Sequence, residues 1–210
     1  MTSYLTLGRD ATATIEVKRS KFLATVERVE TEDAARAVVE RLRKRHWDAR
    51  HHCSAFVLGP DGEVQRSSDD GEPAGTAGAP MLEVLRGAEV SDTVAVVTRW
   101  FGGVLLGAGG LVRAYGDAVR AALDEAGTLR RTLVQELHVT LDHADAGRVE
   151  SELRQRGVVV LGTDWAEQVT LTVGATDPAA FGVVLAELTA GAVVAVPVGE
   201  RWTDAARPRG

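Results

Sequence analysis

Thr93–Tyr115 reads TVAVVTRWFGGVLLGAGGLVRAY. Its first six residues form an unbroken, largely β-branched run, which predicts a central strand covered on both faces. Five glycines then separate that strand from Leu111–Ala126, where Val112, Tyr115, Val119 and Leu123 recur at helical spacing and predict an amphipathic helix with those four side chains inward. Arg113, Asp117, Arg120 and Asp124 fall on its outer side. A strand that feeds a helix through a glycine loop places unpaired N–H groups, with their partial positive charge, at the helix start. Arg99, Gly102, Gly103, Gly107, Gly109, Gly110 and Arg113 are therefore a candidate anion cradle. The glycines equally serve a tight crossover, and spacing alone does not separate the two. The Walker pattern is missing and Gly107-Ala108-Gly109-Gly110 matches the dinucleotide fingerprint only in part, which argues against a nucleotide triphosphatase.

A second loop lies upstream, SSDDGEPAGTAG at Ser67–Gly78. Asp69, Asp70, Gly71, Glu72 and Pro73 make an acidic turn whose carboxylates can orient an arginine, hold Mg²⁺ or act as acid and base. Asp-Gly and Glu-Pro are also ordinary turn pairs. Ser67 and Ser68 lack the strand–turn–helix setting of a hydrolase nucleophile. Thr76 or Gly78 is positioned to cap a helix that carries Met81, Leu82 and Leu85 inward and stops near Gly87.

Outward from these loops, Thr12–Val17 and Phe22–Val29 alternate as a hairpin around VKRSK. Thr31 is an N-cap for an amphipathic helix that runs to about Arg45, and its basic end, RLRKR, complements the helix dipole or reaches phosphate. Cys53–Leu58 and Glu63–Ser67 flank the turn Gly59-Pro60-Asp61-Gly62. From Val134 the pattern restarts as strand, helix (Ala144–Arg156), two strands, helix (Asp177–Thr189) and strand (Ala192–Val198), a βαββαβ order that predicts a ferredoxin-like domain. The expected organisation is α+β in two domains, 1–131 and 132–202, with a loose tail over 203–210.

Composition bounds the function. The 210 residues carry 45% apolar side chains, enough for a real core. No apolar run reaches membrane-spanning length and the N-terminus does not read as a signal peptide, so a cytoplasmic protein without membrane attachment is expected. Cys53 is the single cysteine, and adjacent His51, His52 and Cys53 cannot face one point from a strand, so no metal centre is expected there. Residues 1–131 hold 18 basic against 19 acidic side chains, whereas 132–210 hold 6 against 11. Any nucleic-acid contact must then be a local patch, more readily on the first part. Only Lys18, Lys21 and Lys44 among the 24 basic residues are lysine, a skew read as codon composition.

Taken together, SKF at Ser20–Phe22, the SSDDGEPAGTAGAPMLEVL block and the TRWFGGVLLGAGGLVRAYGDAV block resemble the YigZ/IMPACT family over residues 12–125. Against the family pattern, Gln65-Arg66-Ser67-Ser68 and Trp100 are mild departures. The resemblance implies a first domain of the ribosomal protein S5 domain 2 type followed by a ferredoxin-like domain, a pair similar to the fourth and fifth domains of elongation factor G. It implies a non-enzymatic translation regulator that contacts ribosome, RNA or a translation factor. Eukaryotic members add an RWD-type domain, so their competition for a kinase regulator is not carried over. On this reading Lys21, Arg66, Thr76, Arg99, Trp100, Phe101 and Arg113 join the glycine loop in one anion-binding face. Trp100 or Phe101 would stack on a base, or serve as a hydrophobic plug, a role that suits Phe101 better. No cofactor is expected, with Mg²⁺ at the acidic loop as the one metal option. Two other classes compete: an enzyme acting on a phosphorylated substrate through Asp69 and Asp70, and a protein–protein adaptor with an exposed apolar patch. Oligomeric state is open.

Overall fold

A computed structural model describes residues 2–205. It divides into two compact units, Ser3–Arg130 and the chain from Arg131. The first unit runs β1 (Ser3–Leu7), β2 (Ala11–Val17), β3 (Ser20–Arg28), α1 (Glu32–Arg45), β4 (His51–Leu58), β5 (Val64–Ser68), α2 (Gly78–Gly87), β6 (Thr93–Trp100) and α3 (Ala108–Ala126). Its main sheet has the order β2-β3-β6-β4-β5, antiparallel throughout. The central position of β6 explains its unbroken apolar run. Val94 and Val96 pack with Val38 and Leu42 of α1 on one face, and Ala95 and Val97 pack with Met81, Leu85 and Tyr115 of α2 and α3 on the other.

Thr31 caps α1 as its sequence suggests, its side chain accepting from the Ala34 N–H at 3.1 Å. The α2 cap differs from expectation. Neither Thr76 nor Gly78 caps it. Ala77 holds the cap position without a side-chain bond, and the Asp69 carboxylate supplies the missing acceptor from a distant turn. In α3 the helix begins three residues early and its buried stripe is Leu111, Ala114, Tyr115, Ala118, Val119 and Ala122. Val112 is exposed and Leu123 only half buried, because small alanines let α3 lie close to the sheet on a face rotated from the one the larger side chains suggest.

The second unit holds β7 (Thr128–Leu141, which starts just before the division), α4 (His143–Gln155), β8 (Val159–Trp165), β9 (Val169–Ala175), α5 (Pro178–Thr189) and β10 (Val196–Asp204). The antiparallel order β10-β7-β9-β8 is that of a ferredoxin-like sheet. Asp177 caps α5 through the Ala180 N–H at 3.0 Å, and Ala190 and Gly191 end it with positive φ. The last strand corrects the sequence reading. Ala192–Ala195 is outside any strand, with Val193 and Ala195 turned to the core. The ladder is made by Val196–Asp204, so the expected strand is kept only at Val196–Val198 and extends into more polar residues, helped by the Arg201–Glu136 (2.9 Å) and Arg131–Asp204 (3.4 Å) pairs. Thr203 and Asp204 are therefore strand residues rather than tail, and 206–210 lie outside the described residues.

Candidate functional site

One end of the first unit collects most of the residues singled out above. The β2–β3 turn, the C-terminus of α1, the start of β4, the acidic loop, the end of β6 and the start of α3 all meet there. Each residue of SKF touches the β6 strand end or the loop after it: Ser20 Oγ accepts from the Gly102 N–H at 3.1 Å, the Lys21 ammonium lies 5.0 Å from the Trp100 ring centre, and Phe22 lies beneath the Arg99 guanidinium at 5.3 Å. Gly102 is required by this approach. A Cβ there would sit 2.1 Å from the Arg19 carbonyl, a backbone group that cannot swing away.

Behind the loop runs a buried polar chain. The Cys53 thiol donates to the Tyr115 hydroxyl (3.3 Å), Tyr115 donates to Glu72 Oε1 (2.6 Å), and Arg99 Nη1 donates to the same oxygen at 2.5 Å. The side chains of Arg99 and Glu72 are only 8% and 4% exposed, so this pair is internal structure joining the two loops. Burial raises the Tyr115 pKa, reinforced by Cys53 and Glu72, which keeps the phenol protonated as a donor. Burial also pushes the Cys53 thiol up to about 12, against the opposing bond to Tyr115. We therefore expect iodoacetamide to leave the native protein unmodified at pH 8 and to alkylate it once in urea, read as intact mass. Rapid native alkylation would show that the chain is open to solvent.

Asp69 accepts from the backbone N–H groups of Gly75, Ala77 and Gly78 at 2.8, 3.0 and 2.8 Å. Burial alone would raise its pKa, but the three N–H bonds outweigh that and hold it below the ordinary carboxylate range. Asp70 accepts from Arg43 (2.8 Å) and the His52 N–H (2.6 Å), and its own carbonyl meets His51 Nδ1 at 2.9 Å. Burial lowers the His52 pKa despite Asp70, leaving a neutral ring. The acidic loop thus points its carboxylates at three separate donor sets. Among the described residues no three metal-ligating side chains converge.

The structure does not assemble the remaining sequence candidates into one face. Arg66 lies on β5, 3.8 Å from Glu32 at the far end of α1. Thr76 is buried and donates to the Pro73 carbonyl at 2.6 Å. Arg113 lines a separate groove between α2 and α3. Gly71 closes the acidic turn with φ +83°, while Gly103 and Gly107 bend the loop with φ near +80° and Gly109 and Gly110 open α3. Phe101 is 47% exposed and so is no buried plug. Trp100 is half buried, its indole N–H donating to Asp48 at 2.8 Å and its ring 5.4 Å from His46.

Further cations complete this end, among them the last two residues of the RLRKR stretch. Lys18 and Arg19 form the β2–β3 turn, Lys44 and Arg45 end α1, and Arg50 precedes β4. With Lys21 they make six exposed basic side chains, and no acidic partner is found for any of them among the described residues. Elsewhere in the first unit Arg9, Arg28, Arg36, Arg41, Arg43, Arg86 and Arg120 are each paired with a carboxylate. All three lysines of the chain fall in this cluster.

Comparison with known proteins gives the family. The Impact N-terminal domain model matches residues 18–123, and a domain of unknown function, DUF1949, matches residues 139–192. The chain is 41% identical to IMPACT family member YvyE of Bacillus subtilis (strain 168) over 90% of its own length and 88% of that protein's. This chain belongs to the IMPACT family. IMPACT family member YigZ of Escherichia coli (strain K12) is 40% identical over 95% of this chain and 100% of the relative. A crystal structure titled as that of a hypothetical protein superposes with a TM-score of 0.64 at 39% identity, over 94% of this chain and 98% of that one. The family match spans both loops of the site, from Lys18 in the β2–β3 turn through the acidic loop into α3.

Proposed function

We propose that this IMPACT family chain is a non-enzymatic translation regulator whose first unit binds single-stranded RNA on or near the ribosome through the Lys18, Arg19, Lys21, Lys44, Arg45 and Arg50 end. One observation carries the reading: six exposed cations with no acidic partner among the described residues gather at one end of the first unit, Lys21 over the Trp100 ring, in a chain whose formal net charge is −6. Phosphates supply affinity through such cations, and an aromatic ring beside them stacks on an unpaired base. Lys18 and Arg19 add a second indication. Both have positive φ (46° and 65°) in a two-residue hairpin turn that asparagine or glycine would adopt with less strain. Strain retained where two cations are displayed fits a binding role. The enzyme reading loses its groups, since Asp69 and Asp70 hold backbone and Arg43 in place.

The test is fluorescence anisotropy with a labelled oligoribonucleotide across a salt series, alongside co-sedimentation with ribosomes. The wild type should show a log–log salt slope of about −3 or steeper, because each neutralised phosphate on a single strand contributes about −0.7. Replacing Lys21, Lys44 and Arg45 together with glutamine should flatten that slope by about 2. Equal slopes for wild type and triple variant would remove this end as the interface.

A further inference from the structure

A recess of about 390 Å³ opens beside the cationic end, between the acidic loop and the glycine loop. Its apolar flank is formed by Phe101, Leu105, Leu106 and Pro73, and Leu105 is 83% exposed. Its polar groups are Arg99, Glu72, His51, the Arg50 guanidinium and the start of α3 at Gly107 and Ala108. Several of these have unused hydrogen-bonding capacity. Arg99 Nε is buried and donates to nothing in the described structure. Both bonds of Glu72 fall on Oε1, so Oε2 has no donor among the described residues. The α3 N-terminus has no side-chain cap, which leaves the N–H groups of Ala108, Gly109 and Gly110 without an acceptor inside the helix.

An isolated anion does not suit the interior, because Glu72 would repel it. A neutral planar group with a donor beside an acceptor does suit it, and the edge of a nucleobase has that pattern. We propose that the recess seats one unstacked nucleotide, with its base on Phe101 and its donor–acceptor edge on Glu72 Oε2 and Arg99 Nε. The phosphate lies at the α3 N-terminus beside Arg50. This deepens the RNA reading and rests on it: the cationic end tracks the strand while the recess takes one base out of the stack, in the manner of single-strand binders.

The ¹⁵N-labelled full chain, titrated with each of the four nucleoside 5′-monophosphates and separately with inorganic phosphate, tests this. At least one monophosphate should move the Arg99 Nε–H and the Ala108–Gly110 amides saturably, while inorganic phosphate moves the amides alone. Phe101 is exposed, so Phe101→Ala should fold normally and weaken that monophosphate about tenfold, as expected for a lost stacking surface. Inorganic phosphate should bind the variant as it binds the wild type. The inference is overturned if no monophosphate does more than inorganic phosphate, or if Phe101→Ala leaves the affinity unchanged. Salt-dependent oligoribonucleotide binding that persists alongside either result would overturn the recess alone. Saturable nucleotide binding in a protein whose oligoribonucleotide binding is insensitive to the cationic end would overturn the wider RNA reading instead.

Discussion

Glu72→Ala is expected to destabilise the first unit by about 3–5 kcal/mol, the cost of leaving one member of a buried ion pair without its partner. Arg99 is 8% exposed at its side chain, and among the described residues it pairs with Glu72 and no other carboxylate. It is wedged between the rings of Phe22 and Phe101, at 5.3 and 5.7 Å, so the guanidinium cannot swing to solvent without opening the loop. Tyr115 would lose its acceptor as well, retaining only the thiol of Cys53. The double variant Glu72→Leu/Arg99→Leu should recover much of the loss, since apolar replacement of a whole buried pair is commonly close to neutral. Urea-dependent hydrogen exchange at the β3 and β6 amides reads the first unit separately from the second. A Glu72→Ala cost below about 1 kcal/mol, the range of exposed pairs, would mean that the pair is solvated.

The sequence reported most of this fold because its period-2 and period-3.6 patterns agree with its turn residues. Asp177-Pro178, Thr31 and the β-branched run of β6 each have one sensible local reading, and each forms the expected element. The misses are of another kind. The β10 ladder begins at Val196 and Pro197 but runs on, past a register shift, through Gly199–Asp204, a stretch without alternation, because its partner strand and two ion pairs hold it from outside the segment. The α2 cap comes from Asp69, eight residues before the Ala77 N–H that it receives, and no window centred on the helix start contains that information. Arg99 read as one of a row of exposed cations because loop arginines usually are; the tertiary contact with Glu72 shows its Nη1 engaged in an internal ion pair, with Nε left over. Taken singly, Lys18, Arg19 and Arg50 carry no site signal of their own in the sequence, and Lys44 and Arg45 read as the basic end of α1 with phosphate contact as one of two roles. Their convergence follows from the hairpin turn, the end of α1 and the start of β4 sharing one end of the sheet. The signal available in advance was VKRSK itself, a two-residue turn occupied by cations where asparagine or glycine is usual.

Asp69→Ala should lower the stability of the first unit by about 2 kcal/mol, the upper range for loss of a helix cap, because three backbone N–H groups lose a charged acceptor together. Asp69→Asn keeps one oxygen toward α2 and should lose roughly half as much. The pH dependence separates the carboxylate from a merely steric role. The three N–H bonds depress the folded-state pKa of Asp69 below its unfolded value, near 3.9 for an ordinary aspartate. Its contribution is therefore fully present above about pH 4 and is lost as the pH falls from there through the depressed folded-state value. The gap between wild type and Asp69→Ala should stay constant from neutral pH down to about pH 5 and then close in more acidic buffer. A gap that persists undiminished at the lowest pH where the protein remains folded would show that the side chain fills space at the α2 N-terminus without acting as its anionic cap. In that case the glycine-rich turn from Gly71 to Gly78 would depend on packing against β5 and β4, where a Cβ on Gly78 would already lie 2.8 Å from the Ser68 backbone nitrogen.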